Sequence, residues 1–185
     1  MNLVELINDL NFNILFPLFI GFKLLLETYL KQRNIQSMEK NKETIPERFI
    51  DVVTEEEYKK SINYNTERIR FSMFTATISV GVLLLFTSGG LLNSLTKIVQ
   101  DITQSNVLGI ILLGLFIVLI DEIVGIPLAV YSTFTLEEKY GFNKTTAKTF
   151  IQDLIKNLII SVVFASTLYA VVISIIERLG DNWWI

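Results

Sequence analysis

The chain has 185 residues, 51% of them hydrophobic and 19% charged, with only three prolines. That balance is too apolar for an ordinary soluble domain and points to the bilayer. Sixteen Lys+Arg against 19 Asp+Glu give a formal charge of −3, so the basic excess that nucleic-acid binding needs is missing. The chain has no cysteine and no histidine. Disulfides, thiolate metal sites, cysteine nucleophiles, histidine zinc ligands and every Ser-His-Asp arrangement are thereby excluded.

A spanning helix needs about 20 mostly apolar residues to cross about 30 Å of hydrocarbon. In chain order, the first candidate is a span over about 10–30. Leu10 to Phe22 is uncharged, and Lys23 and Glu27 then interrupt an apolar stretch that runs on to Leu30. These two charges stand at i and i+4 on one helical face, where they pair and the lysine stem snorkels. The acidic Glu5 and Asp9 and the lack of a basic start argue against a cleaved signal peptide.

The connection 31–70 is rich in both charges. Within it Thr54-Glu55-Glu56-Glu57 reads as a helix start, with acids at the positive end of the helix dipole. A helical pattern through Tyr58, Ile62, Asn63, Ile69 and Arg70 leads into the second span, expected over 71–96. There no charge occurs between Arg70 and Lys97, and Gly81 and Gly89-Gly90 offer close helix packing. The third span is expected over 102–130 and the fourth over 154–176, around the uncharged run Asn157–Ile176. The fold class is therefore all-α: one polytopic membrane domain over 1–185, with four transmembrane helices and a helical connection between the first and second.

Nine basic residues lie in 31–70 and four in 131–156, against Lys97 in the second connection and Arg178 in the tail. The positive-inside rule then makes the connections 31–70 and 131–153 cytoplasmic and places both termini outside.

Asp121 and Glu122 follow a 19-residue uncharged run and precede 14 more uncharged residues. One reading buries them in the membrane, where acids are costly and mark function. The other ends the span near Ile120, takes Pro127 as a break and leaves both acids at the interface. Adjacent carboxylates point about 100° apart on a helix, and no second acid-rich span is evident to complete an ion site.

The segment 131–146 is the most distinctive in the chain. It reads as a polar turn in which Gly141 takes a left-handed backbone, and Asn143 or Thr145 caps the helix running through Asp153. Glu137-Glu138-Lys139-Tyr140-Gly141-Phe142-Asn143-Lys144-x-Thr146, with Phe150-Ile151-x-Asp153-x-x-Lys156, closely resembles the loop motif in the N-terminal membrane region of type 1 CAAX prenyl endopeptidases, which are membrane-embedded zinc metallopeptidases. Further matching text is Glu27-Thr28-Tyr29-Leu30-x-x-Arg33, Pro46-Glu47-Arg48-Phe49, Glu55-Glu56-Glu57-Tyr58 with Tyr64, Glu67 and Arg70, Pro127-x-x-x-Tyr131-Ser132-Thr133-Phe134, and Gly180-Asp181-Asn182-Trp183-Trp184. Asp121 and Glu122 are not part of the pattern.

The resemblance implies a non-catalytic part of the wall of a large intramembrane chamber that admits a peptide or prenylated substrate. In the family a downstream His-Glu-x-x-His helix and a later Glu hold zinc, so no residue here inherits a catalytic or metal role. Zinc is expected only in a catalytic region supplied by downstream sequence or by a second chain. The expected partners are the lipid bilayer and that peptidase region, with Glu137, Glu138, Tyr140, Gly141, Phe142, Asn143, Thr146 and Asp153 as structural or docking residues. The alternative is a small oligomeric ion or proton channel or transporter subunit using Asp121 and Glu122, with Lys23 and Glu27.

Overall fold

A computed structural model describes residues 3–47 and 50–180. The regular structure among the described residues is all helix, in the order α1 (Leu3–Lys40), α2 (Glu55–Phe86), α3 (Leu91–Ile102), α4 (Asn106–Tyr131), a π-helical turn (Ser132–Glu137), the single turn α5 (Glu138–Tyr140) and α6 (Ala147–Leu179). Four of the helices are long and apolar enough to cross a membrane, and none of their most apolar windows is buried within the chain. Their apolar side chains have lipid or further protein for solvent, as an all-α polytopic membrane fold requires. The motif residues Arg48, Phe49 and Asp181 to Trp184 lie outside the described residues.

The chain divides into two compact units: Met1–Leu92 with Phe134–Gly141, and Asn93–Thr133 with Phe142–Ile185. In the first, α1 packs on α2. Lys23 Nζ meets Glu27 at 3.3 Å, the i,i+4 pair read from the sequence. The start of α2 is a full capping box: the Glu57 amide donates to Thr54 Oγ1 at 3.2 Å and the Thr54 amide to the Glu57 carboxylate at 2.9 Å. Lys59 joins Glu55 and Glu43 at 2.7 and 2.5 Å, and Arg70 reaches Glu39 at 3.1 Å. Because later residues of α1 meet earlier residues of α2, the two helices run antiparallel. Ile35, Thr66, Leu136 and Tyr140 form the buried core of this unit. All four belong to its charged end, where water gives burial its driving force.

The second expected span is broken. Instead of running over 71–96, α2 ends at Phe86 and a separate helix begins at Leu91. The glycine pair is the cause. A Cβ on Gly89 would stand 2.8 Å from the Leu85 backbone, and Gly90 has φ +75°. The Gly89 amide closes the helix end by donating to Leu84 O at 2.8 Å. These glycines terminate a helix; they were expected to pack one against another.

In the second unit, α4 packs on α6. A Cβ on Gly114 would meet the Tyr169 ring at 3.5 Å, so the small residue admits the aromatic. Pro127 stands inside α4 and does not break it. Such a proline is tolerated where neighbouring backbone adjusts locally, and here the chain widens to π geometry five residues later. Asp121 and Glu122 therefore lie in mid-helix, and Pro127 is not the helix break that one reading made of it. The cap of α6 is Thr146, whose Oγ1 accepts from the Thr149 amide at 3.1 Å. Asn143, one of the two residues expected there, instead folds the preceding turn by accepting the Thr145 amide on Oδ1 at 2.7 Å.

Candidate functional site

The distinctive segment contributes to both units, and each contribution has its own geometry. In the first unit, the later part of the π-helical turn and α5 bury Leu136 and Tyr140, left 5% and 8% exposed. The Tyr140 ring meets Tyr64 of α2 edge-on, with centroids 5.5 Å apart at 64°. Beside it Lys139 Nζ donates to Glu67 Oε1 at 2.5 Å, and the same ammonium stands 5.3 Å from the Tyr140 ring centroid. Gly141 ends the turn at φ +72°, with its amide donating to Glu138 O at 3.0 Å. Only the left-handed conformation turns the chain away here, and glycine supplies it without strain.

Glu67 belongs to the polar extension of α2, which precedes the uncharged stretch beginning at Phe71. Its hydrogen bond to Lys139 holds the carboxyl below the usual carboxylate range. The same bond raises the Lys139 ammonium. Burial, then the Glu67 hydrogen bond, pushes the Tyr140 phenol up, so the tyrosine is neutral. Glu137 is half-buried, while Glu138 and Phe142 are exposed. The cluster is a clamp built from a charge pair and two tyrosines, with no reacting geometry.

The second unit holds a cleft of about 300 Å³ bounded by α4, the π-helical turn and α6. Glu122 and Asp153 both line it, with Thr133, Thr145 and Asn157 as its other polar residues. The structure thus gives Glu122 the second carboxylate that the sequence did not locate. It comes from the motif itself rather than from an acid-rich span. Asp121 lies exposed on α4 outside this lining, as the 100° step between neighbours requires. Asp153 also stands 3.7 Å from Lys156 one turn on, an exposed and weak pair.

Sequence reasoning missed two features. One is the Glu67–Lys139 pair, whose members are 72 residues apart; only the presence of each in a separate stretch of the matching text hinted at them. The other is Thr66, buried with no hydrogen-bond partner for Oγ1 among the described residues. A threonine inside a polar helical stretch gives no signal of that kind.

Zinc does not fit the residues present. The chain has no histidine or cysteine, and no group of three or more carboxylates able to hold a metal occurs among the described residues.

Residues 34–185 match the family model of the CAAX prenyl protease N-terminal region, described as five membrane helices. The probable CAAX prenyl protease 1 of Schizosaccharomyces pombe is 31% identical over 175 residues, covering 85% of this chain and 35% of the relative. CAAX prenyl protease 1 of Saccharomyces cerevisiae is 28% identical over 172 residues, with 86% and 37% covered. Among solved structures, the crystal structure of S. mikatae Ste24p superposes with a TM-score of 0.84 over 93% of this chain and 41% of that one, at 24% identity, and shares the fold. The chain spans little more than a third of the length of its curated relatives. With a family model covering most of its residues and the loop motif in place, this chain belongs to the CAAX prenyl protease N-terminal membrane family.

Proposed function

We propose that the chain forms part of the membrane wall around a zinc endopeptidase site whose catalytic residues lie on other sequence, in the same polypeptide or in a second one. The observation that carries this reading is the family match over 34–185 in a chain without a single histidine. The relatives are named CAAX prenyl proteases, and the part of them matched here is a minority of their length. The unburied apolar faces of α4 and α6 and the cleft holding Glu122 and Asp153 are surfaces for the remaining part to cover. Glu137 to Thr146 docks on that part through the rigid turn that the Glu67–Lys139 clamp holds in place. Zinc and a peptide or prenylated substrate belong to the complete assembly. The charge distribution supports connections 31–70 and 131–153 on the cytoplasmic side and both termini outside.

The channel alternative is not favoured. Lys23 and Glu27 satisfy each other on α1, and Asp121 does not join Glu122 in the cleft.

The reading is tested by co-expressing this chain with the part of the S. pombe relative that lies beyond the aligned region. Co-purification with zinc-dependent cleavage of a prenylated peptide is expected. Two chains that fold separately and never associate overturn it.

A further inference from the structure

The helix α3 sits in the connection between two spans, α2 and α4, and is far too short to cross a bilayer. Its residues divide cleanly around the helix axis. Leu91, Leu92, Leu95, Ile98, Val99 and Ile102 occupy one arc of about 120°, and Asn93, Ser94, Thr96, Lys97, Gln100 and Asp101 occupy the rest. Val99 is 4% exposed, whereas Ile98 and Ile102 on the same arc are 49% and 59% exposed. A helix so divided, tethered between two spans, suits the plane of a membrane surface, with its apolar arc toward the acyl region.

Along the border of that arc the structure holds a cleft of about 640 Å³ between α3 and the beginning of α4. Its upper lining is hydroxyl and amide: Thr96 and Gln100 on α3, then Gln104 and Asn106. Its floor is apolar, formed by Val99 with Ile110 and Leu113 of α4. Asn106 to Leu113 is two turns of helix, about 10 Å of descent from polar rim to apolar floor. At Gly109 α4 comes close to α3, where an added Cβ would stand in ordinary contact with Val99 at 3.5 Å. No charged residue lines the cleft.

We propose that this cleft is a binding site for one phosphoglyceride of the adjoining leaflet. The amides and hydroxyls donate to the phosphodiester and ester oxygens, and the first carbons of the acyl chains run down over Ile110 and Leu113. The gradient from donors to hydrocarbon matches the chemistry of that part of a lipid and of little else in a membrane. With no charge in the lining, the site takes zwitterionic and anionic phosphoglycerides alike. This assignment does not depend on the peptidase reading.

The test reconstitutes the full chain in phosphatidylcholine vesicles doped with a phosphatidylcholine that carries a photoreactive diazirine near the glycerol. Labelling is expected to concentrate on the peptide covering 98–113. It falls about tenfold in Gln100→Leu/Gln104→Leu, which removes two of the donors and adds apolar area in their place. Labelling at the exposed Phe164 of α6 stays constant. Because the Gln104 side chain also donates to Gln100 O at 3.3 Å, a second variant, Leu113→Trp, fills the floor without touching that bond and lowers the same labelling. Labelling of 98–113 no stronger than that around Phe164, or unchanged in Leu113→Trp with native helicity, overturns the assignment.

Discussion

Glu67 and Glu122 are both carboxylates on long membrane helices, and their surroundings differ sharply. Glu67 is answered within its own unit by Lys139, beside a buried tyrosine and a left-handed glycine. Glu122 faces a cleft whose other acid is Asp153, and among the described residues no cation pairs with it. The first region is held by contacts within its own unit. The second is a polar surface set in an apolar unit, where the only cation beside either acid among the described residues is Lys156, 3.7 Å from Asp153. Charge pairing thus separates the two halves of the motif: Lys139 is answered across its unit by Glu67, whereas Asp153 has only the weak Lys156 pair on its own helix.

Breaking the first region has the largest expected effect. Leu136→Ala removes a core side chain at the charged end and lowers stability by about 2–4 kcal/mol, read from detergent unfolding. Gly141→Ala forces a Cβ into the left-handed region and costs about 1–2 kcal/mol in the same measurement. Thr66→Val replaces a buried hydroxyl that has no partner with a methyl of similar shape, and raises stability by about 1 kcal/mol. The smallest stability change belongs to the open region. Glu122→Gln with Asp153→Asn stays within about 0.5 kcal/mol while weakening co-purification with the peptidase part. A large stability loss in that pair erases the contrast between the regions.

The spans were legible because a bilayer demands long uncharged runs, and such runs stand out even in one sequence. Helix ends were less so. Gly89-Gly90 is equally consistent with close packing and with termination, and only the backbone approach to Leu85 decides between them. Pro127 suggested a break, yet the helix passes through it and yields later as a π turn. The loop motif groups Tyr140, Gly141 and Asp153 without revealing that they serve different units. Contacts such as Glu67 with Lys139, and the shared cleft of Glu122 and Asp153, depend on helix phase and packing that periodicity alone does not fix.

The most direct measurement of the central claim is purification of the chain from its native membranes through a tag in the connection near Lys42, followed by peptide mass spectrometry and zinc analysis. The account predicts His-Glu-x-x-His sequence, continuous with this chain or on a tightly bound second one, with one zinc for each copy. A homogeneous, folded, zinc-free assembly of these 185 residues alone contradicts it.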